Sequence, residues 1–142
     1  MNQKIEGGST IIPTLRYRDA PGAIEWLCRV FGCREHFVVR DEAGGVAHAQ
    51  LSFGDGLIMV GERADPTGRV RRPSEVGFVT QGIYAVLDDV EGLHERVVAA
   101  GAEIVTELTT TDYGSTDFAA LDLGGHLWNF GTYRPDDVTG DA

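Results

Sequence analysis

The sequence predicts an α+β fold: two βαβββ modules forming a curved mixed sheet around a cleft, with helices on the outer face. Three observations carry this. Two helix-patterned segments each follow and precede strand-patterned ones, the landmarks of the first half recur in the second 70 residues later, and a segment rich in proline, glycine and arginine separates the halves. Such a layered arrangement lets each apolar sheet face bury itself against a helix.

The elements follow in order. "TIIPTLRY" reads as a strand, and "RDAPGAIEWLCRVFG" then carries Ala20, Ile24, Leu27, Cys28 and Phe31 on one helical stripe. Asp19 is placed to cap that helix and Gly32 to close it. "REHFVVR" is one strand. "VAHAQLSF" alternates Ala47, Ala49, Leu51 and Phe53 with His48, Gln50 and Ser52, the signature of a half-buried strand, and "GDGLIMVG" completes the module.

The second half repeats the plan. "GIYAVL" precedes "DDVEGLHERVVAAG", where Asp89 caps, Val90, Leu93, Val97 and Ala100 form the stripe, and Gly101 closes. "EIVTELTT", "STDFAALD" and "GGHLWNFG" are its remaining strands. Asp19 and Asp89, Gly54 and Gly124, and Gly61 and Gly131 share the offset of 70, whereas the helix-closing glycines are 69 apart. One residue is therefore lost between the helices and regained in the hairpin.

The modules span 9–61 and 78–135 within a chain, 1–142, read as a single domain. Residues 62–77, "ERADPTGRVRRPSEVG", hold two prolines, two glycines and four arginines and predict a mobile, solvated linker. A tail containing Asp136, Asp137 and Asp141 is expected to fray.

Composition narrows the function classes. A formal charge of −10 argues against a nucleic-acid partner, which demands clustered Lys and Arg. No run approaches the roughly 20 apolar residues of a membrane helix, and polar Met1–Thr10 lacks the core of a signal peptide, so a cytoplasmic protein is the expectation. Cys28 and Cys33 are too few for a zinc set or a disulfide framework and read as reduced, mostly buried thiols. No G-x-S-x-G, G-x-x-x-x-G-K or H-E-x-x-H motif occurs.

The duplicated modules, with "PTLRYRDAPGAIEWLCRVFG", "DDVEGLHERVVAAGAEIV" and the closing "GGHLWNFGTY", resemble the vicinal oxygen chelate superfamily. That group includes glyoxalase I, extradiol dioxygenases, fosfomycin-resistance enzymes and bleomycin-binding resistance proteins. The likeness runs over about residues 9 to 135 and is strongest to bacterial glyoxalase/bleomycin-resistance-like proteins. The resemblance implies a divalent metal held by His, Gln or Glu from the first and last strands of each module. Here those positions fall on Ile12, Met59, Gly82 and Asn129, which offer one thioether and one amide oxygen. No metal and no other cofactor is expected.

Counting by twos from these positions gives the cleft lining. Thr14, Arg16, His48, Gln50, Met59, Tyr84 and Asn129 are the candidate ligand-binding residues and are expected to converge on one cavity. Ile11, Leu15, Tyr17 and Trp128 should pack towards the helices. His94 is expected to be solvated and His126 to sit outward or at the rim. An apolar lining with a few polar groups suits a small organic ligand. The leading reading is a metal-independent binding protein of the resistance type, with a homodimer expected from its edge strands and apolar module ends. Three alternatives stay open at this point: an enzyme using His48 or Tyr84 for proton transfer, a metal-dependent lyase or dioxygenase with ligands elsewhere, and a non-catalytic dimeric interaction module.

Overall fold

The computed structural model describes residues 9–137. The described elements run β1 (Thr14–Arg16), α1 (Ala20–Trp26) continuing into one π turn (Leu27–Phe31), β2 (Arg34–Arg40), β3 (Val46–Phe53), β4 (Gly56–Gly61), α2 (Pro73–Val76), β5 (Gly82–Val86), α3 (Val90–Ala99), β6 (Ile104–Thr110), β7 (Thr116–Leu121), β8 (Leu127–Gly131) and a 3₁₀ turn (Pro135–Asp137). They form two four-stranded mixed sheets of identical plan, β1-β4-β3-β2 and β5-β8-β7-β6. In each, the first strand lies parallel to the fourth and the other pairings are antiparallel.

The repeat holds at the level of backbone register. Thr14 opposes Met59 and Arg16 opposes Gly61; 70 residues on, Tyr84 opposes Asn129 and Val86 opposes Gly131. Asp19 accepts from Gly22 N at 3.1 Å and Asp89 from Gly92 N at 3.0 Å, so both helices start on the same D-x-x-G cap. Gly32 and Gly101 close them in the left-handed region, at φ 81° and 78°. The missing residue returns in the second hairpin: Ser52 opposes Leu57, while Leu121 opposes Leu127.

The chain divides into two compact units, one ending at Val79 and including Leu123–His126, the other comprising Thr80–Asp122 and the stretch from Leu127. In the first, α1 packs on β3 and β4. Leu15, Ala49, Leu51, Ile58 and Val60 are buried on the sheet, and Ala20, Ala23, Ile24, Leu27, Val30 and Phe31 on the helix. The π turn adds a residue to the helical turn and lets Val30 join the stripe, while Cys28 stays half-buried. In the second unit, Phe118, Ala120, Trp128 and Phe130 are buried together with Val90, Leu93 and Val97 of α3. Phe130 stacks against both Phe118 and Trp128, with centroids 5.1 and 5.8 Å away. Trp128 Nε1 donates to Asp122 Oδ2 at 3.0 Å, so its polar edge is satisfied inside the core.

Several expectations need correction. Ile11 does not pack on a helix; it is 86% exposed, because Pro13 has no N–H and pairing begins only at Thr14. Ala100 drops out of its stripe as the C-cap and is exposed. The linker is not a plain mobile loop. Asp65 accepts from the Thr67 hydroxyl and from the Thr67, Arg69 and Val70 backbone N–H groups, which hold its carboxyl down at about 2. Pro73–Val76 then forms one helical turn, and Arg72 donates to the Glu62 carbonyl at 2.8 Å. His94 is half-buried against the Phe118 ring, and its Nε2 has no hydrogen-bond partner; Glu107 stands 3.9 Å away. His126 is half-buried too, its Nε2 3.0 Å from the Arg16 carbonyl and its ring edge-on to Tyr17. Of the tail, Asp136 and Asp137 lie in the 3₁₀ turn, and Asp141 lies outside the described residues.

Candidate functional site

Each sheet has a helix-packed face and an open face, and strand register decides which residues share the open one. On the first sheet, Thr14, Met59, Gln50 and Phe37 form one row across four strands. The next row holds Arg16 and Gly61 on β1 and β4, with His48 and Val39 paired on β3 and β2. Buried Leu15, Val60 and Ala49 alternate with them on the opposite face. Thus Thr14, Arg16, His48, Gln50 and Met59 share one surface, as period two requires.

Two polar arrangements organise that surface. His36 Nδ1 lies 3.2 Å from Gln50 Oε1, and Gln50 Nε2 lies 3.2 Å from His48 Nε2. The amide has one accepting and one donating end, so one imidazole donates to it while the other accepts. Both rings cannot be imidazolium without losing a bond. Arg16 is restrained at the edge: its Nη1 donates to the Arg63 carbonyl. Arg16 also lines a cavity of about 230 Å³ with Tyr17, Arg18, Ser74 and Gly124. A second, more open concavity of about 690 Å³ lies elsewhere, between α1 and β2, against Ile24, Cys28, Cys33 and Arg34. There burial, then Glu35 and Glu25, push the Cys28 thiol up, so it stays protonated and poorly nucleophilic.

On the second sheet, Tyr84, Asn129, Ala119 and Thr106 form the corresponding row. Asn129 Nδ2 donates to the Ile83 carbonyl at 3.3 Å, fixing the amide against its own sheet. Tyr84 donates to Asp117 Oδ1 at 3.0 Å, and Asp117 also accepts from Ser115 Oγ. Burial, together with Asp117, pushes the Tyr84 phenol above its ordinary value of 10, which makes it a weaker acid. Tyr133 N donates to the same hydroxyl at 3.3 Å. The approach is close: a Cβ on Gly131 would overlap both Tyr84 Oη and the Asp117 carboxylate.

Sequence reasoning missed Asp117, Ser115, Phe37, Tyr113 and Tyr133, and it left His36 undecided. Asp117 was within reach, since it immediately precedes core-facing Phe118 on an alternating strand. His36 was not, because a bulge between Glu35 and Phe37 breaks the count of two along β2.

A βαβββ unit present twice, each sheet with one helix-packed and one open face, defines a paired-module α+β class. The chain belongs to the Glyoxalase/Bleomycin resistance protein/Dioxygenase superfamily, whose model matches residues 11–130. Its structure is similar to that of TioX from Micromonospora sp. ML1, at 35% identity and a TM-score of 0.69, covering 87% of this chain and 94% of that one. The fosfomycin resistance protein FosX of Listeria monocytogenes, in complex with Mn(II) and sulfate, shares the fold at 17% identity and a TM-score of 0.65, with 94% and 97% coverage. An uncharacterised protein of Mycobacterium tuberculosis is 27% identical over 121 residues, 84% of this chain and 71% of that protein.

The metal implied by this kinship can be tested against the donors present. At the corresponding positions, the first unit supplies Ile12 and Met59 and the second Gly82 and Asn129. A thioether is a soft ligand and the Asn129 amide is neutral; together they do not fit a hard divalent ion. Among the described residues, no three His, Cys, Asp or Glu side chains group as a metal site.

Proposed function

We propose that this protein binds a small organic molecule and works without a resident divalent metal. The donor set carries this reading: apolar and neutral side chains stand where the superfamily places metal ligands, while polar groups beside them are held in place by hydrogen bonds. The proposed contact residues are Thr14, Arg16, His48, Gln50 and Met59 on the open face of the first sheet, with Tyr84 and Asn129 on that of the second. The match to a family whose description includes bleomycin resistance proteins supports a resistance-type role. A phenol weakened as an acid counts against Tyr84 as a proton donor.

The chain is further proposed to act as a homodimer in the cytoplasm. Phe37 and Val39 on edge strand β2 and Val105 on edge strand β6 are each at least 40% exposed, apolar area that a second copy would cover. No described helix is long and apolar enough to cross a membrane.

Thermal denaturation against Mn²⁺, Ni²⁺ and Zn²⁺ and against a panel of aromatic and antibiotic-like compounds tests the proposal, because a ligand of the native state raises the midpoint. Shifts with organic compounds alone, unaltered by a chelator, are expected. One tightly bound metal ion per chain would overturn the metal-free reading.

A further inference from the structure

The second unit carries an aromatic cluster of which the reading above uses only Tyr84. Tyr84 on β5, Tyr113 in the β6–β7 loop and Tyr133 after β8 come from three separate segments. Tyr133 stands edge-to-face with both others, its centroid 6.4 Å from Tyr84 at 85° and 5.8 Å from Tyr113 at 78°. The cluster is open to solvent: Tyr113 is 70% and Tyr84 41% exposed.

We propose that Tyr84, Tyr113 and Tyr133, backed by Asp117, form a binding site for an alkylated organic ammonium ion. This rests on the small-molecule reading and names a ligand class for the second sheet. Ring faces carry the negative side of the aromatic quadrupole, and non-parallel rings can each present one to the same cation. Donation from Tyr84 to Asp117 places a carboxylate behind the phenol and enriches its ring in electron density. The Tyr133 N–H bond to the Tyr84 hydroxyl holds two of the rings in register. Arg134, the cation adjacent in sequence, does not fill the site, being paired with Asp88 at 2.6 Å. Anions meet repulsion from Asp117 and from the ring faces, and the net charge of −10 raises the local concentration of cations. Alkylation matters because a primary ammonium surrenders more hydration than a quaternary one on leaving water.

The test is calorimetric titration of the full chain with choline and with its neutral carbon isostere, 3,3-dimethylbutan-1-ol. Choline should bind at least about tenfold more tightly, since only charge separates the two probes. Tyr113→Ala, at a solvent-exposed position that the fold does not need, should weaken choline by about threefold to fivefold. Asp117→Asn should weaken it further and flatten its salt dependence. Equal binding of the two probes, or unchanged choline affinity in Tyr113→Ala, overturns the ammonium site. If neither probe binds while another organic compound still raises the melting midpoint, the ammonium site alone fails. A resident metal would instead overturn the metal-free reading, whatever choline does.

Discussion

Gly131 and Gly61 occupy the same place in their modules, yet their surroundings differ. A side chain at Gly131 would strike Tyr84 and Asp117, whereas one at Gly61 would come no nearer than 3.6 Å to the Ala47 carbonyl. Gly131→Ala is therefore expected to cost about 1–3 kcal/mol by overpacking, and to break the Tyr84–Asp117 bond. Gly61→Ala should stay within about 1 kcal/mol of the parent. Chemical denaturation of the two variants checks the asymmetry, and equal costs would refute the tight approach. The pair also shows what the repeat hides. Offset 70 makes the two glycines equivalent in the sequence, and only the side chains gathered around each one tell them apart.

At the scale of elements, both helices start on an aspartate whose carboxylate accepts from the glycine three residues later. Asp19→Ala and Asp89→Ala should each cost about 1 kcal/mol, measured by thermal denaturation. Gly22 and Gly92 belong to the same device, because a Cβ at either would collide with the capping carboxylate. The linker behaves as an element too. The Asp65 carboxyl is lowered from 3.8 to about 2 by the Thr67 hydroxyl and by backbone N–H groups. A lowered carboxyl stabilises the folded turn above pH 3.8, and that contribution is lost as the pH falls through about 2. Proton NMR titration should place the Asp65 midpoint near 2, with Arg69 and Val70 amide exchange quickening over the same window. A midpoint near 4 would mean that the turn does not hold its carboxylate.

At the scale of the whole molecule, stability and binding should separate by sheet face. Trp128 is 1% exposed, stacks on Phe130 and satisfies Asp122. Trp128→Ala should cost roughly 3–5 kcal/mol, as large-to-small changes in packed cores do. Arg16→Ala and His48→Ala touch the open face of the first sheet and should cost under about 1 kcal/mol while weakening ligand binding. Denaturation midpoints set beside ligand titrations would decide this. A His48 variant as unstable as the Trp128 variant would place His48 in the core and remove it from the site.

Much of the fold was legible because its signals are local. Period two along "VAHAQLSF", the capping aspartates and the closing glycines act through near neighbours, so the repeat, the strands and the open face of each sheet could be read directly. The side chains at Ile12, Met59, Gly82 and Asn129 could be read as well, but the resemblance, not a local signal, chose those positions. What only the tertiary structure decided depends on contacts distant in sequence. His36 reaches Gln50 across a bulge, Asp117 meets Tyr84 from 33 residues away, and Arg72 folds the linker back onto Glu62. A periodic pattern states which way a side chain points, but not what stands opposite it. For that reason the sequence determined the modules and their faces, while the hydrogen-bonded polar groups and the tyrosine cluster on those faces emerged only once the strands were paired.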